Sequence, residues 1–422
     1  MPQAIRITDL AKPQLSDMQQ AALAYGDTLN VDLEAEGILQ EAREHTCLDD
    51  FGPLDFLHRL RLLCQEWGAD TQLTNIGRLS LRNKLLTHAS SRLLIQDTLN
   101  RHPEIHQVEV RNPIIVAGLP RSGTTHLLNL MAADERLRAL PLWESYEPVP
   151  MPGETPVGGP DDPRYQRCAQ QWEMMQSMSP LLAAMHPMNP DHIHEELELM
   201  GPDFASYNYE WLSLSPRWRD HYYGSDQTAH YEYMKTVLKV LTWQDGDHSG
   251  ENTRWVLKCP QHLEQLAVLH KVFPDATVPV THRDPVSVIQ STATMLAYGQ
   301  RISRTHVDPA AIIDYWSERI VHLLRGCVGQ RDCIPAAQSI DVYFHQFMAD
   351  DLATVEAIYA RAGLPMTERA RAQLQQFITK HPRGKHGQVH YDLRQDFGIE
   401  PAALRERFDF YMQQFPVRVE VL

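Results

Sequence analysis

The 422-residue chain has little cysteine: Cys47, Cys64, Cys168, Cys259, Cys327 and Cys333 are scattered, with no C-x-x-C pair. That excludes the disulfide framework of small secreted domains, and free thiols in a reducing compartment are expected. No apolar run approaches the roughly 18 residues that a spanning helix needs. The start, "MPQAIRITDLAKPQL", has no basic segment followed by an apolar one, so neither a membrane span nor a secretory leader is expected and the chain reads as cytoplasmic. Positive charge is also short. Lys and Arg number 39 against 54 Asp and Glu, a formal charge of -15. Proteins that bind nucleic acid or anionic membranes neutralise phosphates with a surplus of Lys and Arg, so neither partner is expected, and an anionic ligand must sit in a local basic pocket.

What is present is an ordinary globular composition, 43% hydrophobic and 22% charged. Residues 1–105 show helical patterns and no convincing strand. In "FLHRLRLLCQEW" the apolar Phe56, Leu57, Leu60, Leu62, Leu63 and Trp67 recur at helical spacing, which predicts a helical N-terminal cap. From residue 113 the texture changes. The short apolar runs "PIIVAGL" (113–119), "RWVLK" (254–258), "ATVPVTHR" (276–283) and "AQSIDVYF" (337–344) read as buried strands, each followed by an amphipathic helix. Strand then helix, repeated, predicts an α/β domain over 106–422: a P-loop-NTPase-like parallel sheet flanked by helices, with ligands at the carboxyl ends of the strands. An aromatic-rich insertion, about 148–250, interrupts it and is expected to be helical and to lie over the active site.

One lysine is missing where the first strand meets its helix. A phosphate loop of the NTPase kind reads G-x-x-x-x-G-K-[ST]. Here Gly118 and Gly123 keep their spacing, but Thr124 stands in the place of the lysine. The turn still has what an anion requires. Free N–H groups of the first helical turn and the helix dipole favour negative charge, and Gly123 lets the backbone come close. Arg121, Ser122, Thr124 and Thr125 add donors. Without the lysine that works beside Mg²⁺ in kinases, the donor group should carry less charge than a terminal phosphate.

"PRSGTT" (Pro120 to Thr125) after a strand resembles the 5'-phosphosulfate loop of sulfotransferases, which use 3'-phosphoadenosine-5'-phosphosulfate (PAPS). "VTHRDPVSVIQS" resembles that family's 3'-phosphate clamp, with Arg283 at a strand end and Ser291 two helical turns on. The stretch between them is similar to bacterial and tyrosylprotein sulfotransferases, and the resemblance spans about residues 110–410. It implies PAPS as sulfuryl donor, adenosine 3',5'-bisphosphate (PAP) as product, and a small or lipid-like hydroxyl compound as acceptor. It also implies that Lys258, at the end of "RWVLK", stabilises the leaving bridging oxygen. Two residues compete as general base: His262, expected at the start of the next helix, and Glu144 in "PLWES", whose carboxyl beside Trp143 should have a raised pKa. If neither serves, Glu195 and Glu196 in the insertion come next.

The loop "KHPRGKHG" gathers Lys380, Arg383, Lys385 and His386. The family implies that such a loop closes over the 3'-phosphate, through Arg383 here, while a charge run by itself reads equally as a solvated face. "HIHEE", with His192, His194, Glu195 and Glu196, invites a metal but lacks the i, i+4 histidine pair of H-E-x-x-H, and no metal is expected. Two other functions stay open on the sequence: a P-loop kinase with a divergent loop, and a nucleotide-binding protein without catalysis.

Overall fold

The computed structural model describes residues 3–385 and 387–422. A two-residue strand, β1 (Ala4–Ile5), precedes four helices: α1 (Asp17–Gly26), α2 (Ala35–Thr46), α3 (Phe56–Ala69) and α4 (Asn75–Arg101). Helix α1 starts at a capping box, in which the Ser16 hydroxyl accepts from Gln19 N and the Gln19 side chain accepts from Ser16 N. The apolar spacing read in α3 buries Phe56, Leu60, Leu63 and Trp67. They share one core with Leu81, Leu85 and Leu93 of α4 and with Phe204, Tyr209 and Trp218 of the insertion. The N-terminal helices therefore bury their faces against the insertion as well as against one another.

The main sheet has four parallel strands: β2 (Ile114–Gly118), β3 (Val256–Cys259), β4 (Val278–His282) and β5 (Ser339–Tyr343), in the order β3-β2-β4-β5. Every residue of β2 is buried, as expected of a strand covered on both faces. Alternate residues serve two cores. Ile115 and Ala117 meet the larger one; Ile114 and Val116 meet a second that includes Leu127, Leu128 and Met131. Register aligns Val116 with Lys258 and Gly118 with Thr281, so the carboxyl ends of β2, β3 and β4 lie side by side. Glycine is required at 118, because a Cβ there would fall 1.8 Å from Thr281 Oγ1.

After β2 come α5 (Thr124–Met131), α6 (Leu142–Tyr146) and the insertion, whose helices are α7 (Pro163–Met178), α8 (Leu182–Met185), α9 (Asn208–Leu212), α10 (Pro216–Tyr223) and α11 (Thr228–Gln244). The insertion is helical, as expected, but α11 is a core helix of the sheet. Its Tyr231, Met234, Val237, Leu238 and Leu241 are buried, and Trp255 at the foot of β3 donates to Thr242 Oγ1 at 3.0 Å.

The remaining crossovers are α12 (Leu266–Val272), α13 (Pro285–Gly299) and α14 (Pro309–Gln330), followed after β5 by α15 (Phe344–Ala349), α16 (Asp351–Arg361) and α17 (Glu368–Lys380). Helix α13 is buried almost all round, between the sheet and α14. A final two-residue strand, β6 (Gln388–Val389), pairs in parallel with β1. Two residues are too few to show a period, and neither β1 nor β6 was expected from the sequence.

Candidate functional site

The turn from β2 to α5 runs from Leu119 to Gly123. Gly123, at φ +82°, flanks the start of helix α5, and no side chain caps the helix's first N–H groups. A Cβ at 123 would lie 3.1 Å from the Phe344 ring. Arg121 is also left-handed, at φ 60°, a conformation that a non-glycine residue adopts only where its surroundings hold it. Those surroundings are visible. Arg121 Nε donates to Ser291 Oγ at 3.0 Å and Nη1 to Met185 O at 2.5 Å, while its own carbonyl accepts from Arg283 Nη1 at 2.5 Å. The Ser122 hydroxyl is turned inward, donating to Leu119 O at 2.6 Å and lying 3.0 Å from Thr281 Oγ1. Uncapped amides, Thr124, Thr125 and Arg121 around a residue without a side chain make a donor set that fits a phosphate or sulfate.

Lys258, one residue before the end of β3, lies beside this loop. Its Nζ lies 3.4 Å from Thr125 Oγ1 and pairs with Glu195. Both residues are buried, and burial raises the Glu195 carboxyl above its ordinary value although the ammonium opposes the shift. The neighbouring Glu196 fixes the strand end, accepting from Lys258 N at 2.8 Å through Oε2 and lying 2.6 Å from His262 Nε2 through Oε1. His262 Nδ1 is 2.8 Å from the Tyr231 hydroxyl. Each ring nitrogen of His262 thus has a hydrogen-bond partner, so neither is left over.

Both expected bases, His262 and Glu144, already have partners within the fold. His262 is fully buried in a 3₁₀ turn, Pro260–Glu264, not at the start of a helix, and its ring is saturated with partners. Glu144 is buried in α6, and burial raises its carboxyl as expected. Its partner, however, is Arg138, at 2.8 Å, which also holds Asp245. Neither presents a basic atom to Lys258 Nζ, whereas Glu195 does. Its signal in the sequence was the adjacent carboxylate pair of "HIHEE", which was weighed there mainly as a metal motif.

Three histidines cluster near Lys258. His186 has ring centroids 5.9 Å from those of both His192 and His194. Burial, with Lys258 nearby, pushes His192 down to about 4, His194 to about 3 and His186 well below its ordinary value. His192 Nε2 and His194 Nδ1 are buried without hydrogen-bond partners. Among the described residues, no group of three His, Cys, Asp or Glu is spaced to hold a metal.

Arg283 and Ser291 do not touch; Arg121 bridges them. The outer edge of the Arg283 guanidinium meets Glu420, which the sequence did not single out. Arg383 pairs with Asp351 and donates to Met348 O at 3.1 Å, so its loop is bound to the start of α16 and not to Arg283. Lys380 and Lys385 are exposed, and His386 lies outside the described residues.

A family model described as the sulfotransferase family matches residues 113–368, more than half of the chain. No curated protein matches. A sulfotransferase from Mycobacterium tuberculosis is similar at 27% identity and TM-score 0.77, over 90% of this chain and all of that one. One from Mycobacterium avium, at 23% identity, covers 94% of this chain and 99% of its own with TM-score 0.81, a likeness of fold.

Proposed function

Because the chain belongs to the sulfotransferase family, we propose that it transfers a sulfuryl group from PAPS to a hydroxyl of a small or lipid-like acceptor. The observation that carries this reading is the position of Lys258 Nζ, between the anion loop at Thr125 and the carboxylate of Glu195. The sulfur loses its bond to the bridging phosphate oxygen and gains one to the acceptor oxygen. Charge grows on the bridging oxygen, and the ammonium of Lys258 is the cation that would offset it. The acceptor's hydroxyl proton needs a base, and Glu195 takes that role: it is a carboxylate next to the lysine, with a pKa raised by burial.

His262 acts at one remove, holding Glu196 and through it the Lys258 backbone. Glu144 is assigned to the structural pair with Arg138. Arg121, Ser122, Gly123, Thr124 and Thr125 would hold the 5'-phosphosulfate, and Arg283 with Ser291 the 3'-phosphate. Arg383 remains a candidate for the same phosphate only if it leaves Asp351. Burial holds His186, His192 and His194 neutral, and the unpartnered His192 Nε2 and His194 Nδ1 suit an acceptor hydroxyl better than a charged group.

Calorimetry with PAP and AMP tests the donor. Two charge-assisted contacts to the 3'-phosphate are worth roughly 2–4 kcal/mol, so PAP should bind about 30-fold tighter or more. Equal affinities would overturn the assignment.

A further inference from the structure

We infer that Glu420 is a positioning residue for Arg283, so that residues 420–422 form part of the 3'-phosphate site; this rests on the assignment of Arg283 to that phosphate. The guanidinium is fixed from two edges and one face. Nε donates to Glu420 Oε1 at 2.8 Å and approaches Oε2 at 3.1 Å, Nη2 donates to Oε2 at 2.7 Å, and Nη1 donates to Arg121 O at 2.5 Å. Its carbon lies 3.8 Å from the centre of the Phe344 ring. A guanidinium has five N–H bonds. These contacts engage the one on Nε and one on each terminal nitrogen, leaving one N–H on Nη1 and one on Nη2. Two donors on adjacent nitrogens are what a bidentate grip on a phosphate requires.

Glu420 is itself anchored. Its N donates to Asp284 Oδ2 at 2.8 Å, and Val421 N reaches the same oxygen at 3.3 Å. Asp284 is fully buried, and its Oδ1 caps α13 through Val286 N at 3.1 Å. Arg405 donates to Val421 O, Arg394 Nη1 donates to Leu422 O at 3.1 Å, and Ser287 Oγ lies 3.4 Å from Glu420 Oε2. A segment held at four places behaves as part of the wall, not as a strap lying across the site. The rotamer freedom of Arg283 is already lost before an anion arrives, which lowers the entropic cost of binding it.

The test compares Glu420→Gln, Glu420→Asp and Arg283→Ala with the parent, using calorimetry with PAP and AMP and steady-state kinetics with PAPS. Glu420→Gln should weaken PAP about tenfold, leave AMP unchanged, and raise KM for PAPS by the same factor with kcat within about twofold. Glu420→Asp should recover part of the loss. Equal weakening of PAP and AMP would mean that the residue only stabilises the fold, and would overturn the inference. Tighter PAP in Glu420→Gln would overturn it too, by showing that the carboxylate competes with the phosphate. If Arg283→Ala abolishes the preference for PAP while Glu420→Gln keeps it, the inference fails and the proposed donor stands. If Arg283→Ala leaves the preference intact, the assignment of Arg283 fails first.

Discussion

The ammonium of Lys258 and the carboxylate of Glu195 form an ion pair almost entirely out of water, with side chains 1% and 11% exposed. A buried pair of this kind is weak evidence for stability, because desolvation of the two charges offsets their attraction. It is better understood as a site that holds two opposite charges ready beside an anion loop.

Breaking the pair should cost activity and stability together. Lys258→Ala is expected to lower kcat about 10²-fold or more with little change in PAP affinity, since the lost interaction belongs mainly to the transition state. It also leaves a buried carboxylate unpaired, a penalty of about 3–5 kcal/mol in urea unfolding. The double variant Lys258→Met, Glu195→Gln should be more stable than the sum of the two single losses predicts; strict additivity would show that the charges do not interact.

Glu195→Gln should harm aliphatic alcohols more than acidic phenols, because a base matters most when the acceptor holds its proton tightly. His262→Gln should lower turnover by a similar factor for all acceptors, through Glu196 and the strand end. A series of kcat/KM values against acceptor pKa decides this. Acceptor dependence in His262→Gln or Glu144→Gln, with none in Glu195→Gln, would return the base to the residues named first from sequence.

The acid limb of the pH profile should report Glu195. Burial raises its pKa above the ordinary 4.5, and only the ionised form accepts a proton. Activity is therefore expected to fall as pH drops through a value above 4.5, and the limb should vanish from the residual activity of Glu195→Gln.

Stability should fall with acid for a separate reason. His194 titrates near 3 in the fold against 6.5 when exposed, so between these values the unfolded chain binds a proton that the native state refuses. Its contribution is complete above about pH 6.5 and declines below it, by up to about 1.4 kcal/mol per pH unit. His194→Asn should flatten the fall in urea midpoint between pH 6.5 and 4; an unchanged slope counts against a neutral buried imidazole at that position.

Turnover should persist in excess EDTA. The cationic work at the leaving oxygen is assigned to Lys258, not to a divalent ion, and activity restored only by Mg²⁺ would contradict the assignment.

How much of this was legible in the sequence differs from residue to residue. Strands β2, β4 and β5 lie within their apolar runs and β3 overruns its own by one residue, because a strand covered on both faces is apolar throughout and stands out from helical texture. Lys258 was legible because it ends such a run. The bases were not. Glu144 and His262 were named from spacing along the chain, while the distance that matters runs across it: Glu195 is 63 residues from the lysine it pairs with.

The sequence alone determined the sheet, its order of strand and helix, and the loop that lacks a lysine, since these depend on local period and on turn chemistry that neighbouring residues supply. Tertiary structure decided the use of each charge. Arg121 was expected at the phosphate and is held by Ser291 and Met185. Arg283 is squared by Glu420, 137 residues away. Which carboxylate meets which cation depends on how the insertion and the last residues fold back onto the strand ends, and burial then fixes the charges that result. No periodicity encodes that contact, because side-chain electrostatics act through space over a few ångströms and take no account of separation along the chain.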